Sequence, residues 1–200
     1  MKKLVIKTIA ITIAVMLGVV VVAFGVTSLI APKFLANIFD GVGGYSASIF
    51  FYEKQYEKTE DIYDLVLLVD KIEKEKDSVL AEEYLYKLIN HEQFNEYCNL
   101  SDGKGFLNTK EYYSGLYALS LCKNKTIEEA MNFASEFVTI NGYTIDNPFR
   151  VLISEHIRSG ADQTLTIIKE KIQEKLSSFS GEQLIFATND IKEIEDILIK

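Results

Sequence analysis

Residues 8–31, TIAITIAVMLGVVVVAFGVTSLIA, contain no charged side chain. A helix of that length covers about 36 Å, more than the roughly 30 Å hydrocarbon core of a bilayer. The run therefore predicts a transmembrane helix. Beyond it the pattern turns from solid to periodic. Leu65, Leu68, Val69 and Ile72 recur at i, i+3, i+4 and i+7, and Leu85, Leu88 and Ile89 answer them further on. That spacing marks one apolar stripe on each of two helices. Amphipathic stretches over 32–40, 62–74, 111–123 and 147–159 are each followed by a second helical run. The prediction is an all-α chain: a membrane helix, then a series of helical hairpins.

The second helices share a phrase. It reads GGYSASIFFYEKQY at 43–56, KDSVLAEEYLYKLI at 76–89, KTIEEAMNFASEFV at 125–138 and, more weakly, GADQTLTIIKEKIQ at 160–173. Ser48, Ala81 and Ala130 fall in one slot, with Leu165 in the fourth copy. A small residue there lets the second helix lie close to the first, and a bulky one costs about 1–3 kcal/mol. A spacing near 33–35 residues is the length of two helices and two turns. Phe39, Gly43, Tyr45, Ser48 and Tyr52 carry the pattern in the first unit. Leu65, Leu68, Ile72, Asp77, Ala81 and Leu85 carry it in the second, and Tyr117, Ala118, Leu121, Ile127 and Ala130 in the third. On these residues the chain resembles the tetratricopeptide-repeat (TPR) family, without that family's first-helix tryptophan.

The resemblance implies an α-solenoid of about four TPR-like hairpins over 32–180, with units near 32–60, 62–95, 111–144 and 147–178. Residues 91–110 read as an insertion, and 101–105 within it as a surface turn. Residues 181–200 read as a C-terminal capping helix that covers the last repeat. Asp190 is placed to cap a helix bearing Ile191, Ile194, Ile197 and Leu198.

Charge narrows the functions. There are 21 basic and 29 acidic residues, a net of −8. An excess of acid argues against nucleic acid, which needs a basic face to displace phosphate counterions. Lys2, Lys3 and Lys7 precede the apolar run, in a basic tail over residues 1–7, and Asp40 is the first acidic residue. This bias predicts a single-pass protein of the cell membrane, with its N-terminus in the cytoplasm and the rest outside. The apolar run exceeds the 7–15 residues of a signal-peptide core. Leu29-Ile30-Ala31 followed by Pro32 also makes a poor cleavage site, so the segment reads as a retained anchor. Ala10, Ala14 and Gly18 form a small-residue stripe that would let two such helices approach as a homo-oligomer; ordinary membrane-helix composition is the favoured explanation of it. Cys98 and Cys122 show no metal-ligand spacing. They read as two apolar thiols or as one disulfide.

Candidate chemistry is thin. His91-Glu92 lacks the second histidine of a zincin. His91 reads as a helix-end residue, and His156 has no partner suggested by spacing. Gly44-Tyr45-Ser46-Ala47-Ser48 lacks the closing glycine and preceding strand of a nucleophile elbow. Asp102-Gly103-Lys104-Gly105 satisfies neither a P-loop nor a calcium hand. No catalytic residue, cofactor or metal is assigned. The resemblance implies instead a groove lined by the first helices of the hairpins, with Tyr63, Val66, Tyr112, Leu119 and Lys123 as its candidates. Lys33 and Asn37 match the opening of the family's carboxylate clamp. Its later positions fall on Leu67, Tyr112 and Leu116, so the clamp is not carried over, and Lys33 reads as an interfacial lysine beside lipid headgroups. The expected function is a membrane-anchored scaffold that binds proteins or peptides. The chain resembles bacterial proteins of this build, which act around export and envelope assembly. A fixed subunit of a larger membrane complex is the second reading, and a cell-surface enzyme the third.

Overall fold

The computed structural model describes residues 2–101 and 109–199, with residues 2–10 and 101 described by their backbone alone. Among the described residues there are eleven α-helices and no strand. The chain divides after Glu75 into two compact units. This division falls within the second expected repeat, between its two helices.

The first unit holds α1 (Lys2–Ile30), α2 (Pro32–Gly41), α3 (Tyr45–Thr59) and α4 (Ile62–Glu75). Residues 2–7 continue the apolar helix rather than forming a separate tail. Ile11–Ile30 has a mean hydropathy of 2.7 and is long and apolar enough to cross a membrane, the one such helix among the described residues. Ala31 alone separates α1 from α2. Pro32 opens α2, at a helix position where a missing N–H is harmless. Gly43 turns the chain into α3 with φ of +77°, a conformation open to glycine without strain.

Three rings join these helices. Phe24 of α1 meets Phe39 at 6.4 Å and Phe51 at 5.8 Å, and Phe39 stacks on Phe51 at 5.6 Å. Lys58 donates to the Ile30 carbonyl at 2.8 Å. On the other side α4 turns Leu65, Leu68, Val69 and Ile72 inward, all but inaccessible to water. Ser48 is fully buried on α3, and its hydroxyl has no hydrogen bond among the described residues. The position uses the smallness of serine and not its polarity.

The second unit holds α5 (Ser78–Ile89), α6 (Phe94–Ser101), α7 (Lys110–Asn124), α8 (Ile127–Asn141), α9 (Pro148–Ser159), α10 (Asp162–Lys175), a 3-10 turn (Leu176–Ser178) and α11 (Glu182–Leu198). Starts are well signalled. Side chains of Asp77, Thr109, Thr126 and Asn147 each accept a backbone N–H at the head of a helix, which satisfies donors that the helix itself leaves free. Helix α7 lies against α5, α8 and α9, while α10 lies against α8, α9 and α11. Ala118, Ala130, Ala134, Leu152, Leu165 and Ile168 form the centre of this core, each fully buried. Ala81 is buried on α5. Asn124, the last residue of α7, accepts from the Ser78 hydroxyl at 2.7 Å and donates to the Ser78 carbonyl at 2.5 Å, which ties α7 to α5.

Within the stretch 91–110, expected as an insertion, α6 forms, with Phe94, Tyr97 and Cys98 buried and Phe94 edge-on to Tyr113 at 6.2 Å. The expected turn over 101–105 lies, beyond Ser101, outside the described residues. Asp190 is not a cap but sits within α11, which starts eight residues earlier at Glu182. Its carboxylate crosses to Tyr143 and Arg150, and this satisfies an otherwise costly buried charge.

Gly115 marks a close approach of α7 to α9. A Cβ built there would stand 2.4 Å from Val151 Cγ2 and 3.0 Å from Val151 Cβ. A glycine inside a helix normally costs about 1 kcal/mol relative to alanine, so Gly115→Ala should stabilise an isolated helix. Here overpacking of about 1–3 kcal/mol outweighs that gain. Chemical denaturation followed by circular dichroism is expected to show Gly115→Ala less stable than the parent. Adding Val151→Ala should restore it, and a stabilised single variant would refute the close approach.

Candidate functional site

The face of α7 that carries Tyr112, Leu116 and Leu119 repeats at i, i+4 and i+7. It forms one wall of a cleft of about 620 Å³ whose other wall is α9, with Arg150, Ser154 and Arg158. The α7 wall is aromatic and aliphatic; the α9 wall is charged and polar. Asn147 sets α9 in place, since its side chain accepts from Phe149 N at 2.9 Å and donates to the Thr144 carbonyl at 2.5 Å. The cleft suits a chain segment with one apolar and one polar side.

Arg150 is held at the edge of the cleft by carboxylates. Its guanidinium donates to Asp190 Oδ1 at 3.1 Å and to Glu193 Oε2. The other Asp190 oxygen accepts from the Tyr143 hydroxyl at 2.8 Å. Burial pushes the Asp190 carboxyl above the ordinary carboxylate range, although Tyr143 and Arg150 pull the other way. Burial, and then Asp190, also raises the Tyr143 hydroxyl, so that it keeps its proton as a donor. Burial works against the charge of Arg150, but Glu193 and Asp190 outweigh it. The arginine thus braces α9 against α11 and is already matched to two acids, which makes it a poor grip for a ligand carboxylate.

The expected groove residues separate. Tyr112 and Leu119 line this cleft. Lys123 is exposed one turn beyond Leu119 on α7. Tyr63 and Val66 belong to α4 of the first unit, Tyr63 at 55% exposure and Val66 buried at 7%. On α1, Ala14 is exposed, Gly18 has open space where a side chain would stand, and the side chain of Ala10 lies outside the described set. Sequence reasoning missed Arg150 altogether. It also missed a second cleft of about 630 Å³ among α5, α7 and α8, lined in part by Tyr86, Tyr117 and Phe133. Tyr117 meets Tyr86 at 5.8 Å and Phe133 at 4.9 Å. The signal for that cleft lay in the aromatic residues, of which Tyr117 was read only as a repeat position.

The clamp-like pair is committed elsewhere. Lys33 donates to Asp64 Oδ1 at 2.6 Å, and Asn37 accepts from the Tyr52 hydroxyl at 2.7 Å. Lys33 is thus an ion-pair partner of α4 and not simply a headgroup lysine. Gln55 and Thr59 add hydrogen bonds of 2.9 Å and 3.0 Å to the same buried aspartate.

His156, which spacing left without a partner, has two. Its Nδ1 lies 2.7 Å from the Leu152 carbonyl and its Nε2 3.7 Å from Cys122 Sγ. A carbonyl only accepts, so Nδ1 carries the proton there. Burial pushes the Cys122 thiol up, against a smaller effect of Lys123, which keeps the sulfur protonated and weakly nucleophilic. Both Cys98 and Cys122 are free thiols. His91 serves the turn after α5, its Nδ1 accepting from Gln93 N at 3.2 Å. Among the described residues no three His, Cys, Asp or Glu side chains converge as metal ligands.

In comparisons with protein-family models, curated proteins and solved structures, nothing matches this chain.

Asp64 gives a pH signature. Burial alone would raise its pKa, but the hydrogen bonds from Lys33, Gln55 and Thr59 outweigh that and hold it below the usual value. A carboxyl depressed in the fold stabilises fully above its unfolded pKa of about 3.9, and that contribution is lost as pH falls through the folded value. Thermal unfolding in detergent should therefore show the parent more stable than Asp64→Asn near neutrality, with the gap closing below about pH 4. A gap independent of pH would contradict the assignment.

Proposed function

We propose that this protein is a membrane-anchored helical-repeat scaffold, similar to TPR proteins, that binds a peptide or a segment of another protein. The observation that carries the reading is the cleft between α7 and α9, the first helices of two successive hairpins, with Tyr112, Leu116 and Leu119 on one wall and Arg150 and Arg158 on the other. Neighbour relations in the second unit support it. Helices α7 to α10 each touch the next helix or the next but one, the relation expected when hairpins too apolar to stand alone are stacked as a solenoid. Helix α11 lies over α9 and α10 in the manner of a cap. Tyrosine offers a partner large contact area at low entropic cost.

The membrane is the other half of the reading. Helix α1 serves as a single transmembrane anchor, and the lysines before the apolar run hold the N-terminus in the cytoplasm. The repeat domain then stands outside, where a partner among envelope or translocating proteins would be met.

A photoreactive benzoylphenylalanine at Leu116 is expected to give a discrete adduct with a partner in intact membranes, and Leu119→Asp should abolish it. Irradiated chains that remain free of any adduct would count against the binding role. Protease added to intact cells is expected to remove the domain and leave the α1 stem. Full protection would reverse the orientation.

A further inference from the structure

The α2–α3 hairpin has an exterior that a water-soluble helical pair does not need. Ile38 and Val42 stand on α2 and just past its end at 45% and 75% exposure, followed by Tyr45 at 43% and Phe50 at 48% on α3. Scattered apolar side chains on a surface are ordinary. With Phe34 at 59% near the start of α2, apolar exposure runs along α2 and gathers at the turn, while the charges of α3 begin only at Glu53 and Lys54 and continue to Glu57 and Lys58, towards the end that holds Lys33.

The contacts with α1 orient this gradient. Phe51 meets Phe24, and seven residues later Lys58 reaches the Ile30 carbonyl, six residues after Phe24. Helix α3 therefore runs beside α1 in the same direction. Its charged end is level with the end of α1, and the apolar turn between α2 and α3 is level with a point nearer the middle of the apolar helix. The acid nearest the turn, Asp40, is paired with Lys71 at 2.5 Å, its side chain 29% exposed and that of Lys71 13%.

We infer that the turn of the α2–α3 hairpin is a second membrane contact, in which Ile38, Val42, Tyr45 and Phe50 enter the boundary between lipid headgroups and acyl chains beside the α1 anchor. Helix α4 limits the depth. The pairs Lys33–Asp64 and Lys71–Asp40 set it alongside α2, so Glu73 and Lys74 stand near the level of the turn. Contact is therefore shallow, on the scale of about 5–10 Å at which amphipathic helices bury their apolar face. Tyr45 fits that boundary, where an aromatic ring with a polar tip is favoured. Lys54 Nζ lies 4.9 Å from the Phe50 ring centre, and its long stem lets its charge reach the headgroups.

The inference rests on α1 crossing the bilayer, and one experiment separates the two. The chain has no tryptophan, so single substitutions in the full-length protein report without background. Leu17→Trp, Val42→Trp, Phe50→Trp and Tyr63→Trp would be reconstituted in phosphatidylcholine vesicles brominated high on the acyl chain. Leu17, Val42, Phe50 and Tyr63 are all exposed, so none of the four changes disturbs a core. The expected result is strong quenching at Val42→Trp and Phe50→Trp with blue-shifted emission, and little at Tyr63→Trp, which sits at the charged end. Quenching of Leu17→Trp alone overturns the second contact and leaves the anchor standing. If Leu17→Trp is also unquenched, both readings fall. Blue-shifted but unquenched emission at the turn means that protein, such as a second copy, covers it, and overturns the inference. Equal quenching at Tyr63→Trp overturns it too, because the gradient would then have no role.

Discussion

Helices of 12–15 residues, the length of α5 and α8, are marginal in water on their own. Each persists because neighbours cover its apolar face, and coverage depends on how closely two backbones can approach. The closest places are therefore reserved for the smallest residues. Gly115 lets α7 reach α9, and Ala118, Ala130 and Ala134 line the seam of α7 with α8. Ser48 plays this part in the first unit at the expense of a hydroxyl with no partner among the described residues. An unpaired buried hydroxyl is unfavourable by about 1–3 kcal/mol, so its presence measures how tightly size is constrained there. The cleft between α7 and α9 follows from the same contact. Where Gly115 brings the helices together they touch, and the larger Tyr112, Leu116 and Leu119 hold the space beside it open.

What could be read from the chain was what is local. Periodic leucines located α4 and α5, and Asp77, Thr109, Thr126 and Asn147 stand where helices begin. The apolar run gave α1 almost residue for residue, apart from its earlier start. Helix α6 escaped because it is short and is followed at once by Gly103 and Gly105, which read as a turn. Asp190 misled because an aspartate before apolar residues looks like a cap; only the fold shows Tyr143 and Arg150 waiting across a gap of tens of residues. The candidate site was half legible for the same reason. Tyr112 and Leu119 share a helical face, whereas Arg150 announces nothing until α11 is placed beside it.

Four polar pairs join residues far apart in the chain: Lys33 with Asp64 and Lys71 with Asp40 link α2 to α4, Cys122 with His156 links α7 to α9, and Arg150 with Asp190 links α9 to α11. Apolar faces tolerate sliding, because one aliphatic contact is nearly as good as another. A carboxylate that must meet three donors, as Asp64 does, tolerates very little. These pairs therefore fix the register of helices whose attraction is non-directional, and leaving one partner unmatched would be costly.

One mechanical result follows from the brevity of the joint at Ala31. No flexible tether lies between α1 and α2, and the three rings of Phe24, Phe39 and Phe51 clasp the stem to the hairpin from the side. The stem and hairpin behave as a lever and its handle. Torque applied to α1 is delivered to α2 and α3 without being absorbed by slack.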